Sequence, residues 1–133
     1  MGQYIAGEVI RLMVCKGINP VRARILILGL AFKENCPDLR NTRVVDIMDA
    51  LAGYNAQVDV FDPWVDAAAA RHEYGIDLIG EPAAGQYDAV IMAVGHHQFA
   101  ALGAKGIRDF GKSSSVLYDV KYVLPRDAVD GRL

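Results

Sequence analysis

Residues 24–29 read Arg-Ile-Leu-Ile-Leu-Gly (RILILG), and this run decides the fold. Four consecutive Ile and Leu residues closed by glycine have no polar face, so they predict a strand covered on both sides. A second such run, Asp88-Ala-Val-Ile-Met-Ala-Val94 (DAVIMAV), is also closed by a glycine, Gly95. The segments around these two runs alternate in kind. Upstream, residues 2–16 place Ile5, Val9, Leu12 and Met13 on one helical face, and Gly17 and Pro20 end that helix. Downstream, a polar loop at 30–41 leads to a helix carrying Val44, Ile47, Met48 and Leu51 on one face, with Asn41 as its cap and Gly53 as its stop. Residues 56–61 (AQVDVF) alternate as a strand, and Asp62-Pro63 then starts a further helix with Asp62 as cap. A weak strand is expected at 76–79, a helix at 97–109 and a last strand at 115–119. Strands alternating with helices predict a Rossmann-like α/β fold: a three-layer sandwich with a mainly parallel sheet, preceded by one helix.

Composition bounds the function. The 133 residues are 53% hydrophobic and 23% charged, enough for one domain with a real core. The net charge of −2 leaves no sequence-wide basic field for nucleic acid, so an anion has to be met by local cations. No apolar run approaches the roughly 20 residues of a membrane span, and the opening carries Glu8 and Arg11 and does not read as a signal peptide. Two cysteines without CxxC spacing form neither a disulfide framework nor a zinc site. These features predict a soluble cytoplasmic protein. Cys15, beside apolar helix positions, reads as structural, and Cys36 as a loop thiol without a base partner.

In this fold, ligands bind beyond the carboxyl ends of the strands. The loops predicted there are 30–41, 62–64, 95–97 and 120–122, and they bring Lys33, Arg40 and Lys121 to one edge, a plausible diphosphate site. Two motifs fail on context. Gly106–Ser113 matches GxxxxGK[ST], but a helix precedes it and a strand follows, the reverse of a P-loop. The first strand is followed by Gly29-Leu-Ala-Phe-Lys33, without the second glycine that lets a pyrophosphate approach, so a dinucleotide is not expected in the usual manner. Asp62 then reads as a helix cap and not as a ribose ligand. The neighbours His96 and His97 point apart and make a poor metal pair. Trp64 is expected to pack on its own helix.

The stretch from Ile27 to Trp64, with its core Gly29-Leu30-Ala31-Phe32-Lys33, Asn35, Asp38 and Arg40, resembles the C-terminal domain of the UDP-glucose/GDP-mannose dehydrogenase family. The resemblance continues through Val58–Trp64, Ala93–His96 and Tyr118–Lys121, and covers nearly the whole chain. Glu34–Asn41 and Asp62–Asp66 resemble the Vi-polysaccharide-type branch acting on UDP-N-acetylglucosamine or UDP-N-acetylgalactosamine. The resemblance implies residues 1–22 as the end of an inter-domain helix with its linker, and 23–133 as a UDP-sugar-binding domain. It implies oxidation of a sugar C6 hydroxyl to a carboxylate with reduction of two NAD, through an active-site cysteine in a GGxCxPKD stretch. Neither Cys15 nor Cys36 matches that stretch, so no catalytic residue and no metal is assigned, and this chain alone is expected to be inactive. By the same resemblance, Phe32, Lys33 and Lys121 contact the UDP-sugar, Arg40 reaches toward NAD across a domain interface, and Asp38 orients Arg40 or Lys33. The implied partners are the N-terminal NAD-binding and middle domains, with dimerisation of the whole enzyme. A free-standing nucleotide- or CoA-binding module stays open as the alternative, and a small enzyme using Cys36 ranks last.

Overall fold

The computed structural model describes residues 2–133. The elements run α1 (Gly2–Cys15), β1 (Arg24–Leu28), α2 (Val44–Ala52), β2 (Gln57–Phe61), α3 (Ala67–Tyr74), β3 (Tyr87–Met92), α4 (His97–Arg108), β4 (Gly111–Asp119) and β5 (Gly131–Arg132). A short 3-10 turn, Arg126–Ala128, lies between β4 and β5. The sheet has the order β2-β1-β3-β4-β5, and every neighbouring pair is parallel. The chain therefore has the Rossmann-like α/β architecture that RILILG predicts.

β1 is an inner strand between β2 and β3, buried on both faces. Ile25 and Ile27 join one core cluster with α1, α2 and Ala70 of α3, while Leu26 and Leu28 join a second with Phe99 and Ile107 of α4. α1 is packed into the domain, with Ile5, Ala6, Val9, Ile10 and Met13 buried. Cys15 falls off that face and is exposed, which corrects its structural reading: it follows Met13 by two residues, about 200° around the helix.

Several boundaries move for local reasons. α2 starts at Val44 with Arg43 before it, and Asn41 does not cap it; Asn41 takes a left-handed turn (φ 63°), and the Thr42 hydroxyl accepts from the Val44 amide. The helix expected from Pro63 begins at Ala67, where the Asp66 carboxylate accepts from the Ala69 amide. Replacing Asp66 by alanine removes this cap and should lower stability by about 1 kcal/mol, read as a shift in urea midpoint. Residues 76–79 form no strand; a single bond from the Ile79 amide to the Val60 carbonyl is their link to β2. α4 carries a break at Gly103 (φ 69°, ψ 175°). β4 begins at Gly111, earlier than expected, so Gly106–Ser113 runs from helix into strand, and Lys112 pairs with Asp88 at 3.0 Å. β5 was not legible in two residues.

Candidate functional site

The carboxyl ends of β1, β3, β4 and β5 open onto a cleft of about 420 Å³ whose lining includes Phe32, Lys33, Arg43, Val120 and Lys121. Three of the four sequence-predicted site residues, Phe32, Lys33 and Lys121, meet there. The fourth, Arg40, stands apart: its side chain is 85% exposed, and its guanidinium donates to both Asp38 carboxylate oxygens at 3.1 and 3.2 Å. Asp38 thus orients Arg40, and the hydrogen bonds from Arg40 hold its carboxyl below the usual value. Sequence reasoning missed Arg43, which brings a third cation to the cleft. Its nearest acid is Asp46, 3.9 Å away and itself exposed. Lys33 and Lys121 make no salt bridge among the described residues. Phe32 is 49% exposed although aromatic, leaving a ring face free beside the cations.

Each loop is held by a carboxylate at a strand end. Asp119, fully buried at the end of β4, accepts from the Lys121 amide at 2.9 Å and the Leu124 amide at 2.7 Å. This bracket carries Tyr122 in a left-handed conformation (φ 58°), a strain of about 1 kcal/mol or more for a residue with a Cβ. Asp62 plays the matching part at the end of β2 and caps no helix. Its Oδ2 accepts from the Leu30 and Ala31 amides at 2.7 and 2.9 Å, and its Oδ1 from the Trp64 amide at 2.8 Å. Burial pushes its carboxyl up, but hydrogen bonds from His96 and these amides outweigh that and hold it below the ordinary value.

His96 and His97 grip the β1 loop from the other side. The Asn35 amide donates to His96 Nδ1 at 2.9 Å, and His96 Nε2 lies 2.9 Å from Asp62 Oδ2. The His97 amide donates to Asn35 Oδ1, with its ring Nδ1 3.0 Å from the same oxygen. Trp64 does not pack on its own helix; its indole Nε1 donates to Gln98, and the ring lies against both histidines. None of this was legible in the sequence. Adjacent histidines were read through strand or helix periodicity, whereas His96 is the extended residue before α4 (φ −57°, ψ 147°), where neighbouring side chains converge on one loop.

The opening of the β1 loop does not suit a dinucleotide pyrophosphate. Gly29 (φ 103°) is pressed against the β3 end, where an added Cβ would lie 2.5 Å from Val94 Cβ. The next helix starts at Val44, many residues further on, so no helix amides point into a tight turn. Asp62, at the position of a ribose ligand, is turned inward. Among the described residues no group of three His, Cys, Asp or Glu is placed to hold a metal, and no helix is long and apolar enough to cross a membrane.

A sequence profile of the "UDP-glucose/GDP-mannose dehydrogenase family, UDP binding domain" matches residues 26–126. The chain is 53% identical over its whole length to a UDP-N-acetyl-D-glucosamine 6-dehydrogenase of Salmonella typhi, covering 31% of that protein. It is 54% identical over its whole length to one of Pseudomonas aeruginosa, covering 32%. In three dimensions it is similar to the UDP-D-ManNAc dehydrogenase of Pyrococcus horikoshii, with TM-score 0.78 and 20% identity over 99% of this chain and 30% of that one. The chain thus spans about a third of the length of these curated relatives.

Proposed function

The chain belongs to the UDP-glucose/GDP-mannose dehydrogenase family, as its UDP binding domain, and from that premise we propose that it supplies the substrate-nucleotide site of an NAD-dependent UDP-N-acetylhexosamine 6-dehydrogenase. The observation that carries the reading is the convergence of Phe32, Lys33, Arg43 and Lys121 on one cleft. A UDP-sugar presents a diphosphate and a flat base. Three cations from two loops meet the diphosphate, and the open ring of Phe32 offers the base or ribose an apolar face. The extensive identity to two UDP-N-acetyl-D-glucosamine 6-dehydrogenases favours an N-acetylated sugar.

In the whole protein NAD would accept the hydrides lost from the sugar C6. The fit of this chain's strand edge argues that its dinucleotide site lies in other domains. Arg40, exposed and aimed by Asp38, is the residue of this chain suited to reach such a cofactor across an interface. The chain's own work is to bind and orient. Binding energy gathered at the UDP end holds the C6 carbon beside catalytic groups supplied elsewhere in a cytoplasmic, dimeric enzyme. On this reading the chain alone turns over no substrate.

Calorimetric titration of this chain with UDP, UDP-N-acetylglucosamine and ATP tests the site. UDP and its sugar should bind alike, and ATP more weakly. Lys33→Ala and Arg43→Ala should each weaken UDP binding about three- to tenfold, while Arg71→Ala on α3 should change nothing. Equal uptake of ATP, or indifference to both cleft variants, would sink the proposal.

A further inference from the structure

We propose that His96 is the positioning residue for the β1 loop, holding Phe32 and Lys33 in the cleft only while its imidazole is neutral. The inference rests on the reading of that loop as the UDP-binding loop. The geometry leaves one tautomer. Nδ1 faces the Asn35 N–H, a donor, so Nδ1 carries no proton, and Nε2 donates to the Asp62 carboxylate. The His96 and Asp62 side chains are fully buried, so no water replaces the bond between them, while the Asn35 bond is part-buried at the foot of an exposed loop. A proton added at Nδ1 would set two N–H groups against each other and free the Asn35 amide. Asn35 is itself left-handed (φ 55°) and lies two residues beyond Lys33. The Asn35–His96 bond shares the hold on the loop with the bond from the Phe32 amide to the Asp38 carbonyl and the His97 contacts to Asn35 Oδ1, and is the one of these that a proton on an imidazole would break.

The titratable groups against His96 are Asp62 from the β2 end and its chain neighbour His97 at the start of α4. Trp64 and Phe99 complete its walls without charge. His97 is silent in this respect. The backbone amide of His97 donates to Asn35 Oδ1, which fixes that atom as oxygen, so the His97 ring is a donor there whether neutral or charged. Protonation of His97 keeps its bond; protonation of His96 breaks one.

Two substitutions separate positioning from mere packing. An asparagine side-chain oxygen sits as far along the chain as Nδ1, and a glutamine nitrogen as far as Nε2. His96→Asn therefore keeps the acceptor for Asn35, and His96→Gln keeps the donor to Asp62 but loses that acceptor. Measured by NMR on this chain, Asn35 amide exchange should be about three- to tenfold faster in His96→Gln, the size of one part-buried hydrogen bond, and near wild type in His96→Asn. UDP affinity should fall with loop protection in His96→Gln and return in His96→Asn. A proton found on Nδ1 at neutral pH overturns the proposal, as do equal exchange in both variants or loss of the fold in both. If the wild type takes up no UDP while the exchange pattern holds, the UDP reading of the cleft fails for this chain and the hold of His96 on the loop stands.

Discussion

Gly29→Ala should be the most damaging single substitution in the β1 loop, costing about 3–5 kcal/mol and leaving much of the chain unfolded at 37 °C. Two effects add. The φ of 103° lies where L-residues rarely go, and an added Cβ would stand 2.5 Å from Val94 Cβ and 2.9 Å from the Val94 amide nitrogen. Neither obstacle gives way easily. Val94 is buried, and its amide donates to the Leu28 carbonyl, so relief would pull β1 from β3 at the centre of the sheet. Gly7→Ala is the matched control. Gly7 lies inside α1 with nothing within 4 Å of its added Cβ, so the change should be neutral or stabilise by up to about 1 kcal/mol through helix propensity. Urea unfolding reads both. A Gly29→Ala midpoint close to wild type would mean the β1–β3 junction relaxes far more than a close-packed interior should.

That glycine shows what the sequence carried and what it did not. The glycine after RILILG marks a strand end, and the missing second glycine argued against a dinucleotide; both follow from local chemistry. That Gly29 is pinned by Val94, 65 positions further on, is a tertiary fact. The same division runs through the site. That Lys33 and Lys121 share one edge was legible because strand ends in this fold meet there and cations stand out, whereas Phe32 entered only through the family resemblance. Arg43 was not, because Asn41 looked like the helix cap, which would have put Arg43 inside the helix; its true place just before Val44 turns it to the cleft. Asp62 was misread because Asp-Pro is a strong helix opener, and only the fold shows two loop amides descending on the carboxylate. β5 is too short to carry any period, and exists because β4 offers it an edge.

Asp62→Ala should cost about 3–5 kcal/mol, because it removes the acceptor shared by three loops. The amides of Leu30, Ala31 and Trp64 and the Nε2 of His96 would all lose their partner, in a site where no buried side-chain polar atom is now unpaired among the described residues. Asp62→Asn should cost less, about 1–3 kcal/mol. One amide oxygen can serve either the Oδ2 cluster or Trp64, while the NH2 group faces donors at the other position. The pH dependence has a definite sign. The carboxyl is held below its ordinary value in the folded chain, so its contribution is fully present above the unfolded value near 4 and is lost as pH falls through the lower folded value. Urea midpoints at pH 7 and pH 3 should converge between wild type and Asp62→Asn as the wild-type carboxylate protonates. A gap between them that stays constant, or widens toward acid, would show that Asp62 is not ionised in the folded chain. The loop amides would then be held by a neutral acid, and His96 would lose the charge that fixes its Nε2 proton.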